Sequence, residues 1–157
     1  MEKIAAGDCV AAGCGSSSSS AEGTATAPTS DLRVGLVSDV GKFNDRSFNQ
    51  SALEGLQRAE AELGVEGRPI ESRAAGDYIP NLTTLARQGY DLTIGVGFLM
   101  ADAMDTVAGK FPDRNFAIVD FPNAGLKHKP SNVRGLTFAT NENSYMVGYL
   151  AGKMVEQ

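Results

Sequence analysis

Between positions 39 and 49 the chain gathers Asp39, Gly41, Phe43, Asn44, Asp45, Phe48 and Asn49. Such a set can hold a flat, polar molecule. Carboxylates accept hydrogen bonds, a side-chain amide donates and accepts together, and an aromatic ring offers a stacking face. The donor-and-acceptor pair of Asn49 matches a purine edge, with Phe48 as a platform beside it. Gly41 lets backbone approach closely. Asp45 stands where it can cap a following helix rather than touch a ligand. Nowhere in the chain does a nucleophile stand with a positioned base, so the chemistry read here is binding, and the chain is not read as an enzyme.

Other constellations are weaker. Asp39 alone resembles the acid of a phosphoacceptor domain, but the position that would need a second acid is Gly97-Phe98. A dinucleotide loop needs G-x-G-x-x-G, and this turn holds only Gly41. Gly95 and Gly97 suit either tight packing or backbone approach to a ligand. Asp120, after an aliphatic run, could accept from sugar hydroxyls. The single histidine, His128, lies among Lys127, Lys129 and Pro130 and reads as an exposed loop residue. No cofactor and no metal are expected, since both cysteines, Cys9 and Cys14, precede position 15 and no ligand spacing follows. The net charge of −5, without a basic run, argues against nucleic acid as a partner.

The elements that position these residues follow from periodicity. Residues 32–38 are near-continuous aliphatics, as in a strand buried on both faces of a parallel sheet. Residues 47–63 carry apolar side chains at helical spacing and end at Gly64. Strands are expected at 65–72, 91–96, 115–119 and 133–139, with helices from 77 to 89, from 99 to 109, and from an Asn141 cap to the end. Gly148 and Gly152 are expected to let that last helix pack closely on the sheet. This alternation predicts an α/β fold with a doubly wound parallel sheet. Ligands in such sheets sit outside the carboxyl ends of the strands. The loops there are 39–48, 74–80, 97–99, 120–123 and 140–143.

Ser38-Asp39-Val40-Gly41-Lys42-Phe43-Asn44-Asp45-Arg46-Ser47-Phe48-Asn49-Gln50 resembles the opening motif of the basic membrane protein family, substrate-binding lipoproteins of ABC importers. The resemblance continues through residues 95–99, 116–120, 132–138 and 144–152. It implies a type I periplasmic-binding-protein fold, of which 32–157 would be the first lobe, and a purine nucleoside as ligand. It also implies a permease of the importer as partner. In nucleoside-binding members the aromatic of the Ser-Phe-Asn block stacks on the base, which corresponds to Phe48. The adjoining amide and the acid after strand one contact base heteroatoms, corresponding to Asn49 and Asp39. Gly97, Phe98 and Asp120 fall in segments that line the cleft. Family members continue into a second lobe, and Gln157 stands where that crossing is expected. An intracellular regulatory or interaction module on the same fold is the alternative.

Residues 1–31 read as a signal remnant and tether. Ala11-Ala12-Gly13-Cys14 resembles a lipoprotein cleavage site, and Gly15 and Ser16 to Ser20 open a polar, low-complexity stretch. Lipid on Cys14 would anchor the domain to the extracytoplasmic membrane face without spanning it. Residues 1–10 lack the apolar stretch of roughly 7–15 residues that a secretory signal needs.

Overall fold

The computed structural model describes residues 30–156; Cys9, Cys14 and the expected signal remnant and tether lie outside them. Five strands form one sheet: β1 (Arg33–Val37), β2 (Glu66–Ile70), β3 (Leu92–Val96), β4 (Asn115–Val119) and β5 (Val133–Leu136). All neighbours pair in parallel, in the order β2-β1-β3-β4-β5. The helices are α1 (Phe48–Leu63), α2 (Tyr78–Arg87), α3 (Ala101–Lys110) and α4 (Thr140–Val155). The expected doubly wound α/β sheet is present.

Two cores lie on opposite faces. On one, α2 and α3 bury Leu82, Leu85, Met104 and Val107 against Val37, Phe116 and Ile118. On the other, α1 lays Leu56 over Val34, Leu36 and Val96, with Ala52 and Ala59 partly buried beside it. Helix α1 ends at Gly64, whose left-handed φ of 67° permits its amide to donate to the Glu60 carbonyl. The chain entering β1 is fastened nearby, where the Ser30 amide donates to the Gly64 carbonyl at 3.2 Å.

The second strand carries Gly67 and Pro69 yet pairs along its whole length with β1. It lies at the sheet margin. There Glu60 Oε1 accepts from the Gly67 amide at 3.1 Å.

Helix α4 departs from expectation. It begins at Thr140, so Asn141 lies inside its first turn instead of capping it. Every residue from 140 to 156 is exposed. A Cβ added at Gly148 or Gly152 would meet nothing within 4 Å, so these glycines do not mediate close packing on the sheet. Strand β5 is also shorter than expected, ending at Leu136.

Candidate ligand-binding site

The strand order reverses at β1, between β2 and β3, so the switch point of the sheet lies where β1 and β3 adjoin. The register sets what meets there. Val37 pairs with Gly95, and two residues further on stand Asp39 and Gly97. Val96 pairs with Val119, so Asp120 follows on the next strand. Asp39, Gly97-Phe98 and Asp120 therefore leave the carboxyl ends of three adjacent strands.

Asp39 is fixed by a dense set of bonds. Its Oδ1 accepts from the Gly41 amide at 2.8 Å and from Asn49 Nδ2 at 2.7 Å, and its own amide donates to Asn49 Oδ1 at 3.1 Å. Just before it, the buried Ser38 hydroxyl donates to the Asp39 carbonyl and accepts from the Ser72 amide, tying the ends of β1 and β2. On the next residue, the Val40 amide donates to the hydroxyl of buried Tyr78 at 3.3 Å. Burial pushes that hydroxyl above its ordinary range; the Val40 amide opposes the shift and the Asp39 carboxylate adds to it. The remaining oxygen, Oδ2, faces Gly97. A Cβ at Gly97 would lie 3.1 Å from it.

Gly97 has φ 99° and ψ 146°, a region that favours glycine. Gly95 serves another purpose: its missing side chain makes room for Met104 Cε and Met100 Sδ. Of the pair, Gly95 answers to tight packing, while Gly97 is demanded by its backbone conformation and by the nearness of Asp39. Gly41 is needed for space, since a Cβ there would meet Asp39 Oδ1 at 2.9 Å. The left-handed positions of the loop are Lys42 (φ 61°) and Arg46 (φ 54°).

Asp45 caps α1, as expected from its place in the sequence. Its Oδ1 accepts from the amides of Ser47 and Gln50, and its Oδ2 from the amide and side chain of Asn49. Burial alone would raise its pKa, but these four donors outweigh that and bring the carboxyl down to about 2.

Asn49 corrects the expectation of an amide open to a base. It is 2% exposed. Both of its N–H groups are engaged, by Asp39 and Asp45, and its oxygen holds the Asp39 amide. In this conformation Asn49 positions Asp39. Phe48, one residue earlier, points the other way. It is 44% exposed and lies outside both cores.

The partner of Phe48 was not legible in the sequence. The Phe138 ring lies with its centroid 5.7 Å away, the planes tilted by 52°. The two rings, with Ser47 and Ser51, line an open depression of about 350 Å³. Phe138 lies just past β5, where alternation along the strand was the only available signal. Tyr78 was also missed, because its ring reads simply as the start of an amphipathic helix. Phe98 is exposed at the same sheet edge. Asp120 takes φ 63°, uncommon outside glycine, while its amide donates to the Leu136 carbonyl at 2.7 Å.

His128 is exposed at its side chain but not free. Its Nδ1 lies 2.6 Å from Oδ2 of the buried Asp105, and its amide donates to the same carboxylate. Together with Lys127 and Asp102 at 2.9 Å, this pair fastens the loop before β5 to α3. Among the described residues no three His, Cys, Asp or Glu side chains gather to hold a metal, and no helix is long and apolar enough to cross a membrane.

Residues 32–157 match the family described as "ABC transporter substrate-binding protein PnrA-like". The chain belongs to this family. It is 40% identical over 148 residues to the "ABC transporter nucleoside-binding protein BmpA" of Lactococcus lactis, covering 92% of this chain and 40% of that protein. The "CD4+ T-cell-stimulating antigen" of Listeria monocytogenes is 37% identical over 157 residues, covering 97% of this chain and 43% of its own length. The chain thus spans less than half of the relatives it matches. The crystal structure titled "putative lipoprotein from Peptoclostridium difficile 630 (fragment)" shares 31% identity at a TM-score of 0.61, covering 79% of this chain and 99% of that one. A solute-binding protein of an Aeropyrum pernix ABC transporter gives the same identity and TM-score over 68% of this chain and 28% of its own.

Proposed function

We propose that the chain forms the first lobe, residues 32–157, of a receptor that delivers purine nucleosides to the permease of an ABC importer, held at the extracytoplasmic membrane face by lipid on Cys14. Family membership supports substrate binding. The observation that carries the site is the pairing of an exposed ring, Phe48, with a fixed carboxylate, Asp39, at the carboxyl edge of the sheet. A flat base stacks on Phe48 while the free Oδ2 of Asp39 accepts from a base N–H. Phe98 and Asp120 extend the same edge toward the sugar. Asn49 acts through Asp39, and the Gly97 backbone leaves Asp39 its room. The "nucleoside-binding" name of the Lactococcus relative favours this ligand class.

The test is titration of the chain with adenosine, guanosine and inosine, followed by amide chemical shifts. Shifts should centre on Asp39, Phe48 and Gly97, and Phe48→Ala should lose about 1–3 kcal/mol of binding while keeping its melting temperature. If Phe48→Ala leaves affinity unchanged, or no purine nucleoside shifts these amides, the reading is wrong.

A further inference from the structure

The strands all run in parallel, so their amino ends share one edge, opposite the edge that carries Asp39 and Phe48. Three basic side chains gather at this amino edge. Arg87 is the last residue of α2, Lys110 is the last of α3, and Arg114 immediately precedes β4. They share one open depression of about 360 Å³, in which Asp113 is the single acid. The connectors leaving α2 and α3 close on each other here, since a Cβ at Gly89 would lie 3.7 Å from Arg114 Nη2. Among the described residues, none of the three basic side chains is in an ion pair.

Cations favour helix C-termini, which accounts for Arg87 and Lys110 taken singly. It does not account for Arg114, nor for three cations at one depression. The carbonyls at these helix ends are also already taken. Leu85 and Ala86 accept from the Tyr90 and Gly89 amides, Val107 and Ala108 from the Phe111 amide, and Phe111 from Asn132 Nδ2. The basic groups are left to face a ligand, and guanidinium with ammonium suits a phosphate.

The chain also enters the sheet beside this depression. Arg33, the first residue of β1, donates from its amide to Asp91 Oδ2 at 2.8 Å and from Nη1 to the Gln88 carbonyl at 2.9 Å. Asn115 Nδ2 donates to the Asp91 carbonyl at 3.2 Å. Gln88 follows Arg87 and Asn115 follows Arg114, so the entry of the chain and the basic depression form one contiguous surface. Of the acids nearby, Glu66 pairs with Arg33 and Asp91 is held by the Arg33 amide.

We infer that this depression binds phosphate-bearing lipid headgroups and docks the lobe by its amino edge on an anionic membrane surface. The net charge of −5 repels the chain from such a surface in other orientations, so the basic depression selects one. In that orientation the Asp39–Phe48 edge faces away from lipid and stays open to ligand. The inference rests on the proposed function only for the nearness of a membrane, and not for the nucleoside.

The test uses the full chain with Cys9→Ser and Cys14→Ser, so that no lipid on the chain itself holds it to vesicles. It should sediment with phosphatidylcholine vesicles that carry phosphatidylglycerol and not with phosphatidylcholine alone, and binding should fade as salt rises. Lys110→Gln and Arg114→Gln should each weaken it about fivefold, the equivalent of about 1 kcal/mol. Lys110 is exposed, so its variant reads the site even where Arg114→Gln disturbs the fold. Arg73→Gln removes an exposed charge just past the carboxyl end of β2 and should leave vesicle binding unchanged. Adenosine titration of the same samples is read separately: vesicle binding without nucleoside binding would fail the ligand reading and leave this one standing. No sedimentation with anionic vesicles, or equal losses from Arg73→Gln and Lys110→Gln, overturns the inference. So do amide shifts at Gly89 and Arg114 on adding inorganic phosphate to a protein that ignores vesicles, which would assign the depression to a free anion.

Discussion

The free carboxylate oxygen of Asp39 lies 3.1 Å from the point where a side chain at Gly97 would begin. These residues follow the carboxyl ends of neighbouring strands, β1 and β3, at the switch point. The space that a Cβ would fill is therefore the space into which Asp39 presents its unpaired acceptor.

Gly97→Ala should lose about 1–3 kcal/mol of stability, because φ of 99° is strained for alanine and the new methyl meets the carboxylate. Gly95→Ala should cost less. Its new methyl crowds Met104 Cε and Met100 Sδ, near the ends of flexible side chains that can move, and meets Met100 Cβ only at an ordinary 3.9 Å. Urea denaturation of the two variants checks the order; equal costs would contradict it.

Asn49→Leu should unfold more readily than the parent, by about 1–3 kcal/mol, since it strips two carboxylates and the Asp39 amide of their shared partner. An Asn49 open to a purine edge would instead lose ligand affinity with little unfolding. A chemical melt that matches wild type would restore that view.

Acid should reveal Asp45. Its carboxyl titrates at 3.8 unperturbed and at about 2 in the fold, so the stability it contributes is complete above pH 4 or so and is lost as the pH falls toward 2. Asp45→Asn should therefore flatten the stability profile across that interval. It should also cost about 1 kcal/mol at pH 7, as weakened helix caps do. Melting temperatures taken from pH 2 to 7 give both readings.

Ligand affinity should depend on how much polypeptide surrounds the site. Pockets bury roughly 70–90% of a small ligand, and the Asp39–Phe48 edge offers one face. A polypeptide extended to the length of the relatives should bind its nucleoside at least about a hundredfold tighter than residues 1–157, or 2.7 kcal/mol. Parallel titration of the two lengths checks this; equal affinities would make the single lobe a complete receptor.

Much of this arrangement was legible in the residues themselves. Apolar runs such as 33–37 and 115–119 read as strands of a parallel sheet, and Gly64 ends α1 where its left-handed backbone is needed. The cap by Asp45 follows from its distance to the helix start. What was not legible is direction. Phe48 and Asn49 are adjacent, and a helix turns them about 100° apart, so one faces solvent when the other is buried. Nothing in their types says which. The solitary state of α4 was hidden too: Tyr145 to Leu150 reads as a helix to be buried, and its cover is not among the described elements of its own chain.

The outer margin of β2 has one more property. Ser38 donates to the Ile70 carbonyl and Glu66 donates to that of Leu32, so residues 66, 68 and 70 face β1 and residues 67 and 69 face outward. The Gly67 amide is already taken by Glu60, and Pro69 has none. Within β2, no outward N–H is left to recruit a strand. A growing fibril would find acceptors here but no donors, and fibril growth by strand addition stops at this edge.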